Sequence, residues 1–407
     1  DISLFEAGRQ AGGRARALSR KDDGFSFLDN GQHILLGAYH GVQTLVQHIG
    51  VQPESAFLRQ PLRWYIHEGL QFQTASLPAP WHLLVGILRA KNLSFSSRIK
   101  LLSDMSALQR WAAHHKTDLT VAKWLRTRNV PRSLLGQFWQ PLVWGALNTP
   151  LEQASLRILC NVLNDGVWSE KANSDYLLPK QDLGRIVAEP ALDFLHKHGA
   201  KIHLETRVSH LNHHIDGRIE INGEVFDAVV LAVAPYHVDA LLPEDTPDYI
   251  QTAYQSLHYH AITTVYLRYA QAVKLPAPLT GFSDGTAQWV LHRGALGLPD
   301  NEVAVVISVS DCTEAWKDKD LAENIHADIK RVCPDLDKPE AVRIITEKRA
   351  TTAATVDFVQ PDFSWLHHRR IYPAGDYLHP RYPATLEAAV QSGFAAAEKL
   401  MLDLRFE

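Results

Sequence analysis

The stretch LFEAGRQAGGRAR, residues 4–16, decides how the rest of the chain is interpreted. It begins within a predicted strand, residues 2–6, which ends on the acidic residue Glu6. In dinucleotide-binding folds an acidic side chain at a strand end accepts hydrogen bonds from ribose hydroxyls. The glycines that follow allow close approach of the backbone, and the arginines supply positive charge suited to phosphate. Four residues carry this second signal: Arg9, Gly12, Gly13 and Arg14.

The glycine-rich turn that wraps a pyrophosphate has no match in front of this stretch. In such folds the turn stands about 20 residues before the acidic residue. Only a short run of the sequence precedes Glu6, and AGRQAGG follows it rather than opening a helix before it. We therefore expect the N-terminal phosphate-loop unit, with its strand, to be missing from this chain, and a chain without it to hold its nucleotide weakly.

Composition limits the classes of protein that the chain can represent. It has 407 residues, is 46% hydrophobic and 21% charged, and carries a net charge of -4. This is ordinary globular composition, and no nucleic acid partner is expected. The 3 cysteines lie far apart and the 21 histidines are scattered, so neither a disulfide framework nor a metal site is predicted. A reducing, cytoplasmic compartment fits this cysteine usage.

Helical patterns dominate from about residue 37 to residue 170, after a short extended segment at 25–34. The clearest helix is predicted at 93–115, where Leu and Ile recur at steps of three and four and Ser94 or Ser96 can cap the start. From about residue 175, strands and helices alternate. The main expected elements are a helix at 182–200 stopped by Gly199, a strand at 201–211, hairpin turns at 216–217 and 222–223, a doubly buried strand at 228–233, strands at 261–269 and 302–310, a helix at 313–332 and a last helix from about 385.

The C-terminal stretch AGDYLHPRYPATLEAAVQSG, residues 374–393, has the features of a second cofactor-binding segment. Gly375 lets the backbone approach a ligand, and Asp376 offers an acceptor to a hydroxyl group. Thr385 is suited to cap the last helix. The unpaired N–H groups of that helix's first turn carry partial positive charge, which suits a carbonyl oxygen or a phosphate of the cofactor.

Together these motifs resemble the flavin-dependent amine oxidase and carotenoid desaturase superfamily over essentially the whole chain. The resemblance implies FAD as cofactor and an α/β fold, in which a Rossmann-like FAD-binding domain carries an inserted α+β substrate-binding domain of amine oxidase type. The FAD-binding domain is expected at residues 1–50, 175–238 and 367–407. The substrate-binding domain is expected at residues 51–174 and 239–366.

The same resemblance implies which residues contact FAD. The stretch LDNGQHILLGAY, residues 28–39, is similar to the segment that passes beside the flavin ring. Asp376 corresponds to the acidic residue that hydrogen-bonds the ribityl chain, Val208 to the strand that contacts adenine, and Ala232 to the neighbouring strand end. The implied FAD-binding residues are Glu6, Arg9, Gly12, Gly13, Arg14, Gly31, Gln32, His33, Val208, Ala232, Gly375, Asp376, Thr385 and Leu386.

Within the superfamily, four blocks look closest to the hydroxysqualene dehydroxylases, also called squalene-associated FAD-dependent desaturases. The resemblance implies reductive removal of the hydroxyl of hydroxysqualene, giving the C30 isoprenoid squalene by hydride transfer from reduced flavin. His33 is the candidate proton donor or its orienter, and the competing interpretation is that it only hydrogen-bonds backbone beside the flavin. The external reductant cannot be identified from the sequence. The four blocks are residues 28–39, 141–155, 178–184 and 375–393.

Two alternatives stay open at this point. A carotenoid (phytoene-type) desaturase, or another flavin amine oxidase-like enzyme, would need the same cofactor and a similar tunnel. A non-catalytic isoprenoid-binding or assembly protein would lack a complete FAD site.

Aromatic and amphipathic residues suggest where an isoprenoid and a membrane would contact the chain. Developing positive charge is favoured over aromatic faces, although for any single aromatic residue core packing is the stronger interpretation. Residues 77–100 mix Trp, Leu and Ile with four basic residues, which suits a helix lying on the inner face of the cytoplasmic membrane or a buried helix bordering a turn. The candidate pocket residues are Trp139, Trp144, Trp289 and Tyr377, with Trp168 and Tyr176 as further aromatic candidates.

Overall fold

The computed structural model describes residues 1–18, 24–114, 117–214, 216–356, 358 and 362–405. Its strands are β1 (Ser3–Phe5), β2 (Leu35–Leu36), β3 (Phe57–Gln60), β4 (Arg63–Tyr65), β5 (Gln71–Gln73), β6 (Tyr176–Pro179), β7 (Lys201–His203), β8 (Asn212–His213), β9 (Ile219–Ile221), β10 (Glu224–Phe226), β11 (Val229–Leu231), β12 (Tyr259–Arg268), β13 (Leu279–Gly281), β14 (Trp289–His292), β15 (Glu302–Ile307), β16 (Ala341–Thr352) and β17 (Ile371–Pro373). Its α-helices are α1 (His40–His48), α2 (Pro53–Ala56), α3 (Trp81–Leu88), α4 (Phe95–His114), α5 (Val121–Thr127), α6 (Arg132–Leu134), α7 (Gln140–Leu147), α8 (Leu156–Leu163), α9 (Glu189–Lys197), α10 (Asp248–Gln255), α11 (Leu321–Val332), α12 (Ser364–His367) and α13 (Leu386–Asp403). Three π-helical turns adjoin these helices: Leu135–Trp139, Asn164–Trp168 and Gly184–Ala188.

Two pairs of parallel strands carry the predicted cofactor segments. β1 pairs with β7, with Ser3 opposite Lys201, and β11 pairs with β17, with Val229 opposite Ile371. Within the described ranges no strand joins one pair to the other. Side chains connect the pairs instead, because Phe5 of β1 packs against the apolar cluster that β11 and β17 help to form.

A five-stranded antiparallel sheet, in the order β13–β14–β15–β12–β16, forms a second centre of packing. Successive side chains of a strand point to opposite faces. Val265 and Leu267 of β12 therefore pack in one apolar cluster, which α11 also joins, and Tyr266 packs in another. The second cluster contains the helical region, including Trp139. Both faces of the sheet are thus covered.

The helical region packs α4, α5 and α7 around α8. Its interior is rich in tryptophan, with Trp111, Trp124 and Trp139 all buried. Two small antiparallel sheets, β2–β6–β3 and β4–β5, complete this part of the molecule. None of the described helices combines the length and apolar character needed to span a membrane.

Most of the predicted elements are confirmed. The helix expected at 93–115 is α4, and the hydroxyl of Ser94 accepts a 3.2 Å hydrogen bond from the N–H of Ser97 at its start. Gly199 adopts a φ of +83° just after α9. The two expected hairpin turns join β8 to β9 and β9 to β10, and the last helix begins at Leu386. The predictions that fall on His115 and Ile215 lie outside the described residues.

Several expectations about strands and helix starts are wrong. Residues 25–34 form a loop with one isolated bridge, between Asp29 and Ala17. The region 57–73 holds three short strands, and the buried Trp64 and Phe72 lie opposite each other on the antiparallel pair β4–β5. β7 covers only three residues, and α11 begins at Leu321 rather than at 313. Val230 of β11 is 43% exposed, because a two-stranded pair lacks the second covering layer that full burial requires.

Candidate cofactor-binding site

The carboxyl ends of the four parallel strands carry residues that the sequence assigned to the cofactor. Glu6 directly follows β1 and Ala232 directly follows β11. Gly375 and Asp376 follow β17, and Val208 stands shortly after β7. Ligands of open parallel sheets bind outside the carboxyl ends of the strands. The arrangement of these residues is therefore that of a ligand-binding edge.

Glu6 is held at this edge by two backbone N–H groups. Its carbonyl accepts a 2.9 Å hydrogen bond from the N–H of Thr206, and its Oε1 accepts a 2.6 Å bond from the N–H of Gly8. The carboxylate is therefore fixed where a hydroxyl group could reach it. Arg9 is exposed instead, and its Nε donates to Oε1 of Glu205 over 3.0 Å, so the structure directs Arg9 to Glu205.

The turn after Glu6 requires glycine. Gly12 and Gly13 have φ values of +108° and +56°, in the region that other residues rarely adopt. A Cβ on Gly12 would lie 2.6 Å from the carbonyl oxygen of Ala15, a distance too short for any side chain. The N–H of Ala15 closes the turn by donating to the carbonyl of Gly12 over 2.8 Å. Because neither glycine carries a side chain, a ligand could approach the backbone of this turn beside Arg14.

Arg14 and Asp376 bring the two ends of the chain together. Nη2 of Arg14 donates to Oδ1 of Asp376 over 2.7 Å, and Nη1 donates to the carbonyl of Ala350 in β16, also over 2.7 Å. Burial lowers the pKa of the Arg14 guanidinium, but the Asp376 carboxylate, with smaller contributions from Tyr236 and Glu347, raises it above its usual value. Segments 362 positions apart in sequence thus share one charged site. The phosphate contact predicted for Arg14 stays a prediction.

The C-terminal segment is fixed between its turn and its helix. The hydroxyl of Thr385 accepts a 3.0 Å bond from the N–H three residues on, which confirms it as the cap of α13. Leu386, the first residue of α13, packs in an apolar cluster. The N–H of Gly375 donates to Oγ of Ser392 over 2.9 Å, and a Cβ on Gly375 would lie 2.4 Å from the ring of Tyr377. Close packing therefore requires glycine at this position.

The segment at residues 29–33 lies against strand β12. The N–H of Gln32 donates to Oγ1 of Thr264 over 3.4 Å, and Gly31 faces the same hydroxyl. Asp29 is 2% exposed, and its Oδ2 lies 3.6 Å from Nδ1 of His33. The expected flavin segment thus lies against the five-stranded sheet.

Unpaired polar atoms mark this part of the structure. Oε1 of Gln32, Nδ1 of His33, Nε of Arg16 and the hydroxyl of Tyr259 are buried without a hydrogen-bond partner in the described part of the chain. Buried polar groups in native structures normally have partners. A polar ligand in the site would supply them, so the residues present fit FAD. When bound, FAD supplies hydride-transfer chemistry.

An aromatic pair beside this site was not found by sequence analysis. The rings of Tyr236 and Tyr259 meet edge to face with centroids 5.7 Å apart, and the guanidinium of Arg349 lies 4.1 Å from the centre of the Tyr236 ring. Burial, followed by the nearby Tyr236, raises the pKa of Tyr259 to about 12, while Arg14 acts in the opposite direction. The position of Tyr236 directly after LAVAP was an available signal, whereas Tyr259 becomes visible only once β12 is in place.

Glu387 is a second residue that sequence analysis missed. It is 1% exposed, and its two carboxylate oxygens accept hydrogen bonds from the N–H groups of Gly41 and Val42 over 2.8 and 2.9 Å. A carboxylate is stabilising at a helix N-terminus, here that of α1. Glu387 thereby ties the first turn of α13 to the helix that follows the expected flavin segment. Its place within ATLEAAV, beside the recognised cap Thr385, was the available signal.

The predicted pocket aromatics fall into two groups. Trp144 and Trp289 line one cavity of about 620 Å³, between α7 and the outer strands of the five-stranded sheet. Trp139 is fully buried against Trp124 and Phe138, outside the lining of this cavity. The remaining candidates pack elsewhere: Tyr377 against Tyr254, and Trp168 and Tyr176 within or against the helical cluster.

The fold and the site together define an α/β flavoprotein. A family model described as flavin-containing amine oxidoreductase matches residues 1–401, and the chain belongs to that family. It is accordingly an FAD-dependent oxidoreductase.

Individual relatives agree with this assignment. The chain is 26% identical to a hydroxysqualene dehydroxylase of Zymomonas mobilis over 423 residues, covering 98% of this chain and 92% of the relative. It is 28% identical to a hydroxysqualene dehydroxylase of Rhodopseudomonas palustris over 421 residues, with the same coverage of 98% and 92%. Among solved structures, cyclohexylamine oxidase from Brevibacterium oxydans shares the fold, with a TM-score of 0.71 and 14% identity over 99% of this chain and 94% of that chain.

Proposed function

We propose that this oxidoreductase removes the hydroxyl group of hydroxysqualene reductively and releases squalene. The observation that carries the cofactor site is the Arg14–Asp376 contact, which joins the two predicted FAD segments. The choice of a C30 isoprenoid rests on the two hydroxysqualene dehydroxylases that the chain resembles over nearly its whole length. The hydroxyl would leave as water once it has taken a proton, and bound reduced FAD would supply the hydride that replaces the broken C–O bond with a C–H bond. The external donor that reduces the flavin is an additional partner.

His33 is the proposed proton donor. A hydroxyl is a poor leaving group unless it is protonated as it departs, and general acid catalysis of this kind contributes about 10²–10⁴-fold. His33 lies in the segment expected beside the flavin, 3.6 Å from the buried Oδ2 of Asp29. Asp29 is oriented by the N–H of Leu183, which donates to the same oxygen over 3.2 Å. Because 3.6 Å exceeds hydrogen-bond distance and Nδ1 has no partner in the described part of the chain, Asp29 would orient the imidazole only after a small rotation of the ring.

Aromatic faces supply the other requirement of the reaction. The allylic cation left by C–O cleavage must be kept from water, and aromatic rings favour a nearby positive charge. Tyr259 offers such a face near Asp376, and Trp144 and Trp289 offer them in the cavity between α7 and the five-stranded sheet. We assign Tyr259 to the reacting carbon and the cavity to the hydrocarbon chain, because the Arg349 guanidinium already covers the Tyr236 ring.

The test is a single-turnover assay with the full chain. Protein of measured flavin content is reduced anaerobically with dithionite and given hydroxysqualene, and squalene is quantified by mass spectrometry. We expect squalene in proportion to bound flavin. Flavin-loaded protein that forms no squalene would contradict the proposal, and a conjugated product from phytoene would support a carotenoid-type desaturase instead. A protein that binds the isoprenoid but no flavin would support the non-catalytic alternative.

The role of His33 is tested with a matched histidine. His33→Asn should slow squalene formation by at least about 100-fold at unchanged flavin content. His40→Asn is the control, because His40 is exposed at the start of α1 and should leave the rate within about twofold. Equal rates for the two variants would assign His33 to backbone hydrogen bonding only.

We further propose that residues 77–100 dock on the anionic lipids at the inner face of the cytoplasmic membrane. Four large apolar side chains here are exposed, Trp81 by 57% and Phe95 by 68%, with Leu77 and Ile99 at 40% and 45%. The sequence between Glu68 and Asp104 contains no acidic residue, and Arg89 and Lys91 are exposed. Apolar insertion combined with positive charge is the pattern of helices that lie in a membrane interface.

Vesicle sedimentation tests the docking. The chain should bind phosphatidylglycerol vesicles at least about tenfold more strongly than phosphatidylcholine vesicles, and Trp81→Ser combined with Phe95→Ser should weaken binding to both by at least about tenfold. Tyr249→Ser is the control, because Tyr249 is 51% exposed on α10, outside the proposed docking segment. Equal binding to both lipids, or loss of binding in the control, would count against this surface.

A further inference from the structure

One cluster of potential metal ligands lies outside the site described above. His260 follows the first residue of β12, and Asp311 and Cys312 follow β15, 51 and 52 positions further along the chain. Nδ1 of His260 lies 2.9 Å from Oδ2 of Asp311, and Sγ of Cys312 lies 3.8 Å from that nitrogen and 3.7 Å from that oxygen. Sequence spacing concealed this group, because antiparallel pairing of β12 with β15 is what brings the three residues together.

The imidazole of His260 is oriented with its Nδ1 toward Asp311 and Cys312. Its Nε2 lies 3.3 Å from Oε1 of Gln153, and an imidazole that donates to this amide oxygen carries its hydrogen on Nε2. In the neutral ring Nδ1 is then an acceptor and faces Oδ2 of Asp311, which is another acceptor. Two acceptors 2.9 Å apart require a proton or a cation between them.

The other two ligands are also positioned. Oδ1 of Asp311 accepts a 2.9 Å bond from the N–H of Ala261, which fixes the carboxylate with Oδ2 toward His260. The preceding Val309 has a φ of +52°, a genuine outlier for a β-branched residue. Its N–H donates over 2.6 Å to Oδ1 of Asn148, which anchors the turn that presents Cys312. In metal sites the ligating side chains are typically held in place by hydrogen bonds from neighbouring groups, as these are.

The geometry excludes a catalytic triad as the reason for the cluster. In a triad the acid and the nucleophile contact opposite nitrogens of the imidazole. Here Asp311 and Cys312 both approach Nδ1 of His260, so the three ligand atoms surround one point. Tetrahedral zinc bond lengths require ligand atoms about 3.4 Å apart for nitrogen and oxygen and about 3.6 Å apart for either of them and sulfur. The observed triangle matches those separations to within about half an ångström.

We propose that His260, Asp311 and Cys312 bind a zinc-type divalent cation. Zn²⁺ takes one nitrogen, one oxygen and one thiolate sulfur, and the Cys312 thiol proton passes to solvent as the Zn–S bond forms. His260 is buried, Asp311 is half-buried and Cys312 is exposed, so the open side leaves the fourth position to water. The ion would clamp the start of β12 to the segment after β15. This site is independent of the proposed reaction.

Cobalt is the probe, because a thiolate bound to Co²⁺ gives a charge-transfer absorption that histidine-only sites lack. Metal-free full-length chain without a histidine tag is titrated with Co²⁺, and Zn²⁺ is then added to displace it. We expect a thiolate-to-cobalt absorption band that saturates at one Co²⁺ per chain. The band should be lost in Cys312→Ser and retained in Cys333→Ser. Cys333 is the matched control, because it is half-buried and its Sγ donates a hydrogen bond to the carbonyl of Lys274, outside the His260 cluster.

A supporting-residue variant separates a metal site from an ordinary His–Asp hydrogen bond. Gln153 is exposed, so Gln153→Ala should fold normally while weakening Co²⁺ binding by about 10-fold or more. Absence of a thiolate band from the unmodified chain overturns the proposal. Persistence of the band in Cys312→Ser, or unchanged affinity in Gln153→Ala, overturns it as well.

Discussion

The five-stranded antiparallel sheet and the two parallel strand pairs are stabilised in different ways. β12 runs for 10 residues with a hydrogen-bonded neighbour on each side, and five of the six residues of β15 are buried. The strands of the parallel pairs have 3 residues each, every residue of β1 is half-buried, and Val230 of β11 is 43% exposed. Extensive packing holds the sheet, whereas a smaller apolar cluster together with polar contacts such as Arg14–Asp376 holds the cofactor region.

This difference shows where stability and function are separated in the chain. Regions with few buried apolar contacts open locally at lower free energy than packed cores. The cofactor segments should therefore exchange backbone hydrogens faster than β12 and β15, and a ligand should slow that exchange. Variants in the two regions distinguish global from local effects.

The largest effect is expected in the sheet. Arg293 and Glu302 are 0% and 1% exposed, and Nη1 of Arg293 lies 3.0 Å from Oε2 of Glu302. Burial lowers the pKa of Arg293, and Glu302 partly offsets that shift. Arg293→Met leaves the carboxylate buried without its cation and should lower the free energy of unfolding in urea by about 3–5 kcal/mol.

The control for this variant is an exposed ion pair. Lys317 and Glu314 are 2.9 Å apart, with side chains 54% and 70% exposed, so Lys317→Met should cost less than about 1 kcal/mol. A similarly small cost for Arg293→Met would mean that packing alone holds the sheet.

The next effect is expected in the cofactor region. Asp376→Ala removes the partner of Arg14 and should lower the free energy of local opening at β11 and β17 by roughly 2 kcal/mol, measured by hydrogen exchange. Exchange in β12 should not change. Asp216→Ala is the control, because Asp216 forms an exposed ion pair with Arg218. An equal change in both regions would show that the strand pairs open only together with the sheet.

Local signals in the sequence predicted the parts of the site that depend on neighbouring residues. Glu6 at a strand end, the glycines at 12 and 13, and the Thr385 cap each follow from a few adjacent residues, and the structure has them in the expected local geometry. Resemblance to a family added FAD and the fold, which the family match confirms. The roles assigned to the individual FAD residues stay predictions.

Contacts between distant segments could not be predicted in this way. Tyr259 reaches the site only because β12 passes beside residues 29–33, and Glu387 caps a helix 345 positions before it. The His260–Asp311–Cys312 cluster depends on strand register, which scattered histidines and cysteines do not reveal. The lengths of the parallel strands were predicted wrongly for the same reason. Each strand ends where its contacts with distant segments end, and the sequence does not show those contacts.

A smaller effect is expected at the start of α13. Thr385→Ala removes the hydroxyl that accepts from the N–H of Ala388 and should cost roughly 1 kcal/mol of local stability at α13. Thr385→Ser keeps the hydroxyl and should recover most of that loss. If hydrogen exchange at the first turn of α13 is the same in both variants, contacts other than the cap determine its stability.

The smallest effect is a pH dependence in the helical region. Burial, followed by the charge of Lys171, lowers the pKa of His82 below its ordinary value, and both ring nitrogens are buried without hydrogen-bond partners in the described part of the chain. The unfolded chain then binds a proton near about pH 6.5 that folded His82 does not. Stability is therefore present above that pH and falls as the pH drops below it, with a slope of at most about 1.4 kcal/mol per pH unit.

His82→Leu should remove this part of the slope. Between about pH 7.5 and about pH 5.5, the free energy of unfolding should fall less in His82→Leu than in the unmodified chain. His210→Leu is the matched control, because His210 is exposed and its loss should leave the slope unchanged. An unchanged slope in His82→Leu would mean that the buried ring gains a hydrogen-bond partner when it is protonated. The helical region would then tolerate a buried charge at residue 82, whereas the strand pairs depend on the Arg14–Asp376 charge pair.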